Sequence, residues 1–529
     1  MTPFTAPLDD ILFSLEHVAQ ARTIPDWDSD LAAQIARHFA QFAESEIAPL
    51  NAPGDRQGCR LQNGRVRTPD GYPQAFRRYA DQGWCGLTLP EAFGGQGMPG
   101  AMASALLGEI TTGACPGFAM ATGLIKGAAQ TLLVSGSAEQ QARYLPRLAS
   151  GAWTATMCLS EPGAGSDLSG VRTKAVAEGD GWAIRGEKIF ISGGDHDLSE
   201  GILHLVLART GEMSEGLKGL SLFLCPSQDD AGNRNAISVT RLEEKMGLHG
   251  SPTCQLRFDG ARAELIGEPG KGLLGMFTMM NSARIGTSLL GVAHAARATD
   301  IATRYAAERQ QGGVTIDRHP DVARMLREMD ALTLGMRAMS HLLLVALTDP
   351  GRADLVDFLT PVCKVFCTEG AIEASNAAIQ VLGGYGYLQE YQAEQNLRDV
   401  RIAAIFEGAN GIHASTLTTR LLRLKEGKLA EAFAVFVAGL AAQSPDGAAL
   451  AAALEVWNGA RAALLGSDRP RESAHAFMQL TGTLLFLAAW HRLYAVSGHA
   501  ADPARLERLY HHVRRTCDAK IVYWASLCG

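Results

Sequence analysis

The chain has 529 residues, 47% of them hydrophobic, and a formal net charge of −7. The length points to three or four domains, and the apolar share can fill several large cores. Basic residues form no run longer than a pair, which argues against nucleic acid or an anionic membrane surface as the organising partner. The ten cysteines are scattered without a CxxC, and no histidine pair stands near Cys363 and Cys367. They are expected to be reduced, mostly buried thiols, with no metal site. The first ten residues lack the basic and apolar regions of a signal peptide. The longest apolar stretch, near 484–490, is too short for a bilayer and runs into His491 and Arg492. A cytoplasmic protein without a membrane span is therefore expected.

Residues 1–153 read as a helical domain. Ile35, Phe39, Phe42 and Ile47 approximate helical spacing, and Leu106, Ile110 and the run 128–134 continue it. Between them Gly95, Gly97 and Gly100 spell GxGxxG. A dinucleotide-binding turn is rejected: no convincing strand precedes it, Pro99 falls inside the turn, and no βαβ unit follows. From 154 to 268 the period changes. Short β-type runs fall at 154–159, 182–185, 188–192, 203–209, 220–226 and 253–258, with turn residues at 179–181 and 186–187. Strands without intervening helices suggest a compact antiparallel barrel or sandwich.

After Gly272 the helical pattern returns in four segments: 276–310, 320–347, one with Thr360 as N-cap and Pro361 in its first turn, and one after Gly411. Together, 269–425 read as a four-helix bundle. Residues 426–529 look like a further alanine-rich helical unit, interrupted near 444–447 and 466–470, and carry no chemical motif. The expected fold is mainly α with a central β domain. It consists of an N-terminal helical domain (1–153), a small antiparallel β barrel (154–268), a four-helix bundle (269–425) and an extra helical domain (426–529).

The stretch 403–412 concentrates the chemistry. A single carboxylate, Glu407, follows an apolar run and precedes Gly408 and Gly411. Apolar neighbours disfavour a charged carboxylate and make it a better general base near neutral pH. Taken alone, the stretch reads more readily as an ordinary helix-end acid capped by Gly408.

Five motifs, in order, resemble the acyl-CoA dehydrogenase family over about residues 35–425. They are Met157-Cys158-Leu159-Ser160-Glu161-Pro162-Gly163-Ala164-Gly165-Ser166-Asp167, Gly186-Glu187-Lys188-Ile189-Phe190-Ile191-Ser192, Lys245-Met246-Gly247, Gln380 with Gly383, Gly384 and Gly386, and Phe406-Glu407-Gly408. The segments 245–253 and 276–281 look like the longer bacterial type with an extra C-terminal helical domain, a group that includes 3-methylmercaptopropionyl-CoA dehydrogenases.

The resemblance implies FAD-dependent α,β-dehydrogenation of an acyl-CoA thioester to a trans-2-enoyl-CoA. Glu407 would take the α-proton while the β-hydride leaves towards flavin N5. In some relatives the base precedes the arginine of a bundle helix; here that position is Ala283, before Arg284, and alanine cannot take a proton. Leu159, Ser160, Phe190 and Ser192 resemble the residues around the flavin ring. Arg309, Gln380, Gly383 and Gly384 resemble those that meet the FAD of a neighbouring subunit, and a guanidinium suits a pyrophosphate. Ser166, Asn281 and Arg284 resemble positions near the acyl-CoA. The chain departs from the family's pattern at Gly312, where an aromatic is usual, and at Ala409 and Gly411, where Thr and Gln are common. Asn410 is then a substitute cofactor contact or a helix cap. The expected partners are an acyl-CoA, an electron-transferring flavoprotein as acceptor and a second copy of the chain, as a dimer or tetramer. Rival readings are an acyl-CoA oxidase and a catalytically inactive scaffold member of the family.

Overall fold

The computed structural model describes residues 3–528. They form two compact units: residues 43–103 with 114–283, and the N-terminal segment to Phe42 with 104–113 and everything from Arg284 onward.

The first unit is built on a seven-stranded sheet: β1 (Trp153–Cys158), β2 (Lys174–Glu178), β3 (Gly181–Ser192), β4 (Gly201–Arg209), β5 (Leu220–Pro226), β6 (Ile237–Leu242) and β7 (Thr253–Ile266). The pairings β4–β2–β3–β7–β5 return to β4, so the sheet closes on itself, with β6 on β7 and β1 on β4. It is not antiparallel throughout. β4 runs parallel to β1, and to β2 at Lys174 and Arg209. Parallel neighbours need a long crossover, and the β2–β3 hairpin supplies it. β4 is buried along its whole length. Its last residue, Arg209, is buried too, and its guanidinium donates to the carbonyls of Val171, Ser169, Gly216 and Glu212 at 2.8–3.1 Å. A buried cation is tolerated when its donors are met in this way. β2 and β6 are not among the strands expected from sequence: β2 is exposed at four of its five residues, and β6 is only half-buried, with Ile237, Val239 and Leu242 packed on the core.

The GxGxxG stretch is irregular backbone between the 3₁₀ turn Glu91–Phe93 and the short helix Gly100–Ala103. A Cβ on Gly95 would lie 2.0 Å from the Leu89 carbonyl oxygen, so close packing accounts for that glycine. The stretch 116–135 is long and apolar enough to cross a membrane, but 56% of its most apolar window is buried within the fold. Nine of the ten cysteines are buried.

The second unit holds most of α1 (Gly272–Glu308), α2 (Pro320–Ala346), α3 (Ala353–Leu382) and α4 (Asn410–Thr416), followed by α5 (Lys428–Ala442), α6 (Gly447–Leu465), α7 (Ala474–Ala495) and α8 (Pro503–Ser526). The Thr360–Pro361 start expected for the third helix is wrong: α3 begins at Ala353 and runs through Pro361. Packing overrides the local signal. Pro361 is buried, and Phe358, just before it, stacks on Phe433 of α5 at 5.0 Å. α7 is apolar on all sides and buried nearly throughout, as a central helix must be. It lies so close to α2 that a Cβ on Gly335 would meet Phe486 at 2.2 Å and Trp490 at 2.5 Å. The Trp490 indole N–H donates to the Ala331 carbonyl at 3.2 Å. Each such buried side chain contributes about 2–3 kcal/mol of burial. Residues 426–528 thus share a core with the bundle.

Candidate active site

The loop between the 3₁₀ turn Arg401–Ala404 and α4 carries Glu407, with φ of 54°, a left-handed conformation that non-glycine residues rarely adopt. Three donors hold its backbone. His413 Nε2 donates to the Glu407 carbonyl at 3.0 Å, Arg284 Nε to the same oxygen at 3.4 Å, and Lys364 Nζ to the Gly408 carbonyl at 2.8 Å. Glycine is required at 408, since φ is 94° and a Cβ would meet the His413 ring at 2.8 Å. The Glu407 N–H has no hydrogen-bond partner among the described residues.

Burial pushes the Glu407 carboxyl up to about 7, against the pull of Arg284 and Lys364, whose charges favour the carboxylate. Burial also lowers Lys364 to about 8 and His413 to about 4. His413 is therefore neutral at pH 7, with its proton on Nε2. A carboxyl near 7 that is half ionised at neutral pH can accept a proton from a weak carbon acid.

Asn410 opens α4 without a side-chain cap. Its Oδ1 accepts from Lys364 Nζ at 2.8 Å, and its Nδ2 donates to Thr368 Oγ1 at 3.2 Å and Glu369 Oε1 at 3.0 Å. The Asn410 amide is thus engaged inside the protein. Lys364 and His413, which touch the loop directly, carry no motif signal. Lys364 lies in an apolar helical run that reads as core, and a lone lysine there was the available hint.

A cleft of about 520 Å³ in the same unit gathers Arg309, Gly383 and Gly384 with Tyr305 and Tyr385. The Arg309 guanidinium lies over the Tyr385 ring at 5.4 Å and has no carboxylate partner among the described residues. Gly383 has φ of 60°, and a Cβ on it or on Gly384 would meet nothing within 4 Å, leaving the backbone open to the cleft. Gln380 is exposed and lies outside the cleft lining. The departure at Gly312 has a local cause. Gly312 and Gly313, with φ of 63° and 84°, turn the hairpin between Gln310–Gln311 and Val314–Thr315, a turn that demands two left-handed residues.

In the β unit, the Ile189 N–H donates to the Ser160 carbonyl at 2.9 Å and Lys188 Nζ to the Leu159 carbonyl at 2.9 Å. Leu159, Ser160 and Phe190 are therefore neighbours. Between Lys188 and Ile191 the register against β7 slips by one residue, a bulge that holds Phe190 at φ of 59°. The residue is 64% exposed, so it is not a core aromatic. Ser192 closes β3 opposite Thr253. Beneath the bulge, fully buried Lys188 pairs with Glu161 at 2.7 Å, and Glu161 also accepts from the Arg172 and Thr173 N–H groups. That buried pair was legible only as part of a motif. Ser166 and Asn281 are both exposed, the first in the turn after the Glu161–Ala164 bridge and the second in the early turns of α1.

Family models for the acyl-CoA dehydrogenase N-terminal, middle and C-terminal domains match residues 29–152, 156–261 and 270–422. The chain belongs to the acyl-CoA dehydrogenase family. It is 39% identical to the 3-methylmercaptopropionyl-CoA dehydrogenase of Ruegeria pomeroyi, over 91% of this chain and 89% of that one. It is 35% identical to a broad-specificity linear acyl-CoA dehydrogenase of Mycobacterium tuberculosis, over 83% and 79% of the two chains. Among solved structures, an acyl-CoA dehydrogenase of Bacillus anthracis complexed with FAD superposes with a TM-score of 0.78 at 24% identity, over 96% of this chain and 89% of that one, and so shares the fold. The three family models end at residue 422, before the C-terminal helices.

Proposed function

We propose that the protein is an FAD-dependent dehydrogenase that converts an acyl-CoA to the trans-2-enoyl-CoA, with Glu407 as the base; a short substrate such as 3-methylthiopropanoyl-CoA is proposed on the 39% identical relative alone. The observation that carries the dehydrogenation is the Glu407 carboxyl near 7 on a loop whose backbone is fixed by His413, Arg284 and Lys364. The residues present fit the cofactor. An exposed ring held on a bulge suits a flavin face, and an unpaired guanidinium beside an open Gly383-Gly384 backbone suits a diphosphate. When bound, FAD supplies the hydride acceptor.

Leu159, Ser160, Phe190 and Ser192 would hold the flavin ring, and Arg309, Gly383 and Gly384 the diphosphate end of a neighbouring subunit's cofactor, which makes the active form at least a dimer. Gln380 would border that end. The ionised Glu407 would take the α-proton, and its free N–H would polarise the thioester oxygen as enolate character develops. Ser166, Asn281 and Arg284 would lie along the acyl-CoA. The domain boundaries at 153/154, 268/269 and 425/426 belong to the same proposal, as does a flavoprotein acceptor that collects the electrons.

A panel of acyl-CoAs from acetyl to hexadecanoyl, with 3-methylthiopropanoyl-CoA, assayed with a ferrocenium acceptor tests the substrate class. Best turnover on the short and methylthio members is expected. Turnover confined to long chains would refute the substrate assignment. Under air, reduction by the best substrate should give little hydrogen peroxide until an electron-transferring flavoprotein is added. Peroxide formed as fast as the flavin is reduced would make the protein an oxidase.

A further inference from the structure

The helices after residue 425 lie beyond every family model matched, yet one of their side chains reaches the network behind Glu407. Gln479 of α7 donates its Nε2 proton to Glu369 Oε2 at 2.6 Å. The other oxygen of Glu369 accepts from Asn410 Nδ2, whose Oδ1 accepts from Lys364 Nζ, which also holds the Gly408 carbonyl. An unbroken chain of hydrogen bonds thus runs from α7 to the backbone next to Glu407.

Every orientation in this chain is determined. Lys364 can only donate, so the oxygen of the Asn410 amide must face it and the NH₂ must face Glu369. Each Glu369 oxygen then has one donor, Asn410 on one and Gln479 on the other. The position of Gln479 is fixed in turn by packing. Gly482 lies three residues on, and a Cβ there would meet the Phe366 ring of α3 at 2.8 Å; Phe486, seven on, packs its ring 5.0 Å from the same Phe366. Residues 479, 482 and 486 share one helix face, so α7 presents Gln479 to α3 in the register that reaches Glu369.

Lys364 feels both Glu407 and Glu369 electrostatically. Without Gln479, the freed Glu369 oxygen must find another donor. Lys364 is the cation of this network, and turning towards it would draw Glu369 off Asn410 and loosen the loop. We propose that Gln479 is a positioning residue of the C-terminal extension: by holding Glu369 on Asn410 it braces the loop that carries Glu407. This rests on Glu407 being the base, and the experiment separates the two.

The test uses the FAD-loaded full chain and reads two quantities. One is the rate of flavin reduction by the acyl-CoA that turns over fastest in the panel. The other is amide hydrogen exchange in peptides covering 403–413, with and without FAD. Gln479→Met keeps the bulk and removes the donor. Because a small misplacement of a catalytic group is expensive, flavin reduction should slow on the order of tenfold, with KM unchanged. Exchange in 403–413 should quicken while the β unit stays as in wild type. Glu369→Ala should do the same, and the double variant should be no worse than Glu369→Ala alone, because both cut one chain.

Wild-type rates of reduction and exchange in Gln479→Met would overturn the proposal, as would losses that add in the double variant. Should Gln479→Met fail to fold, partly buried Glu369→Ala decides: unchanged exchange in 403–413 overturns it. If Glu407→Gln reduces flavin as fast as wild type, the base assignment falls, while the exchange arm still reports whether Gln479 holds the loop.

Discussion

Replacing Glu407 with Gln should make the protein more stable at pH 8, even as it abolishes turnover. The carboxyl is raised in the folded chain from its usual 4.5 to about 7, chiefly by burial. A group whose folded value is raised contributes stability that is full below its unfolded value and is lost as pH rises through the folded one. Wild type therefore carries the full cost of a buried carboxylate above pH 7 and escapes it only below 4.5. The shift corresponds to about 3 kcal/mol, and about 2 kcal/mol is the fairer figure for a partly buried group. The pull of Arg284 and Lys364 is already contained in this net shift. For 529 residues melting together, 1 kcal/mol moves the midpoint by about 1 °C. Thermal melts of the apoproteins should place Glu407→Gln roughly 2 °C above wild type at pH 8 and level with it at about pH 4. Equal midpoints at both pH values, or a less stable variant at pH 8, would refute the raised carboxyl. In the holoenzyme the same substitution should lower flavin reduction by about 10²–10⁴-fold with FAD retained, the loss expected for a missing general base.

Lys364→Met removes one of the two cations that favour the Glu407 carboxylate. The acid limb of the kcat/KM profile, expected near 7, should then rise by about one unit; a limb that stays in place would show that Lys364 acts only by holding the Gly408 carbonyl. Arg309→Ala should weaken both FAD retention and self-association, because ligand and assembly are linked. Sedimentation of a monomer that keeps its full FAD would contradict the shared cofactor. Phe190→Ala should leave the apoprotein melt nearly unchanged, since the residue is 64% exposed, while FAD affinity drops by up to about tenfold, the worth of one aromatic stacking contact. A strongly destabilised apoprotein would instead make Phe190 a core residue.

The parts of this structure that sequence reveals are those set by contiguous residues. The segment 406–408 marks Glu407 and the segment 188–192 marks Phe190, because each motif is one short stretch of chain. Strand β5 was legible to the residue, as an apolar run between turns. What sequence hides depends on distant packing. Pro361 marked a helix start by the local rule, yet the contact of Phe358 with Phe433 carries α3 through it. Exposed β2 gave no alternation to read, and β6 alternates over only four residues, Ile237 to Thr240, before Arg241 breaks the pattern. Lys364, Glu369 and Gln479 belong to two helices whose own patterns report only burial, so their convergence behind Asn410 is a tertiary fact.

Two of these features have one physical character. Phe190 and Glu407 are both non-glycine residues at left-handed φ, 59° and 54°, a conformation that costs each about 1–2 kcal/mol. Neither would persist unless its surroundings determined it several times over. At 407 the carbonyl takes hydrogen bonds from His413 and Arg284, and the next carbonyl takes one from Lys364. At 190 the bulge is clamped on its N-terminal side by the Ile189–Ser160 bond and by Lys188, itself locked to Glu161. A glycine at either position would relieve the strain and would carry no carboxylate or ring. Gly408, directly after Glu407, is itself at positive φ, whereas the glycine after Phe190, Gly193, lies three residues on. Nine described non-glycine residues have positive φ; at these two, the side chains proposed for proton removal and for the flavin face, the strained backbone is the local cost of presenting a carboxylate and a ring.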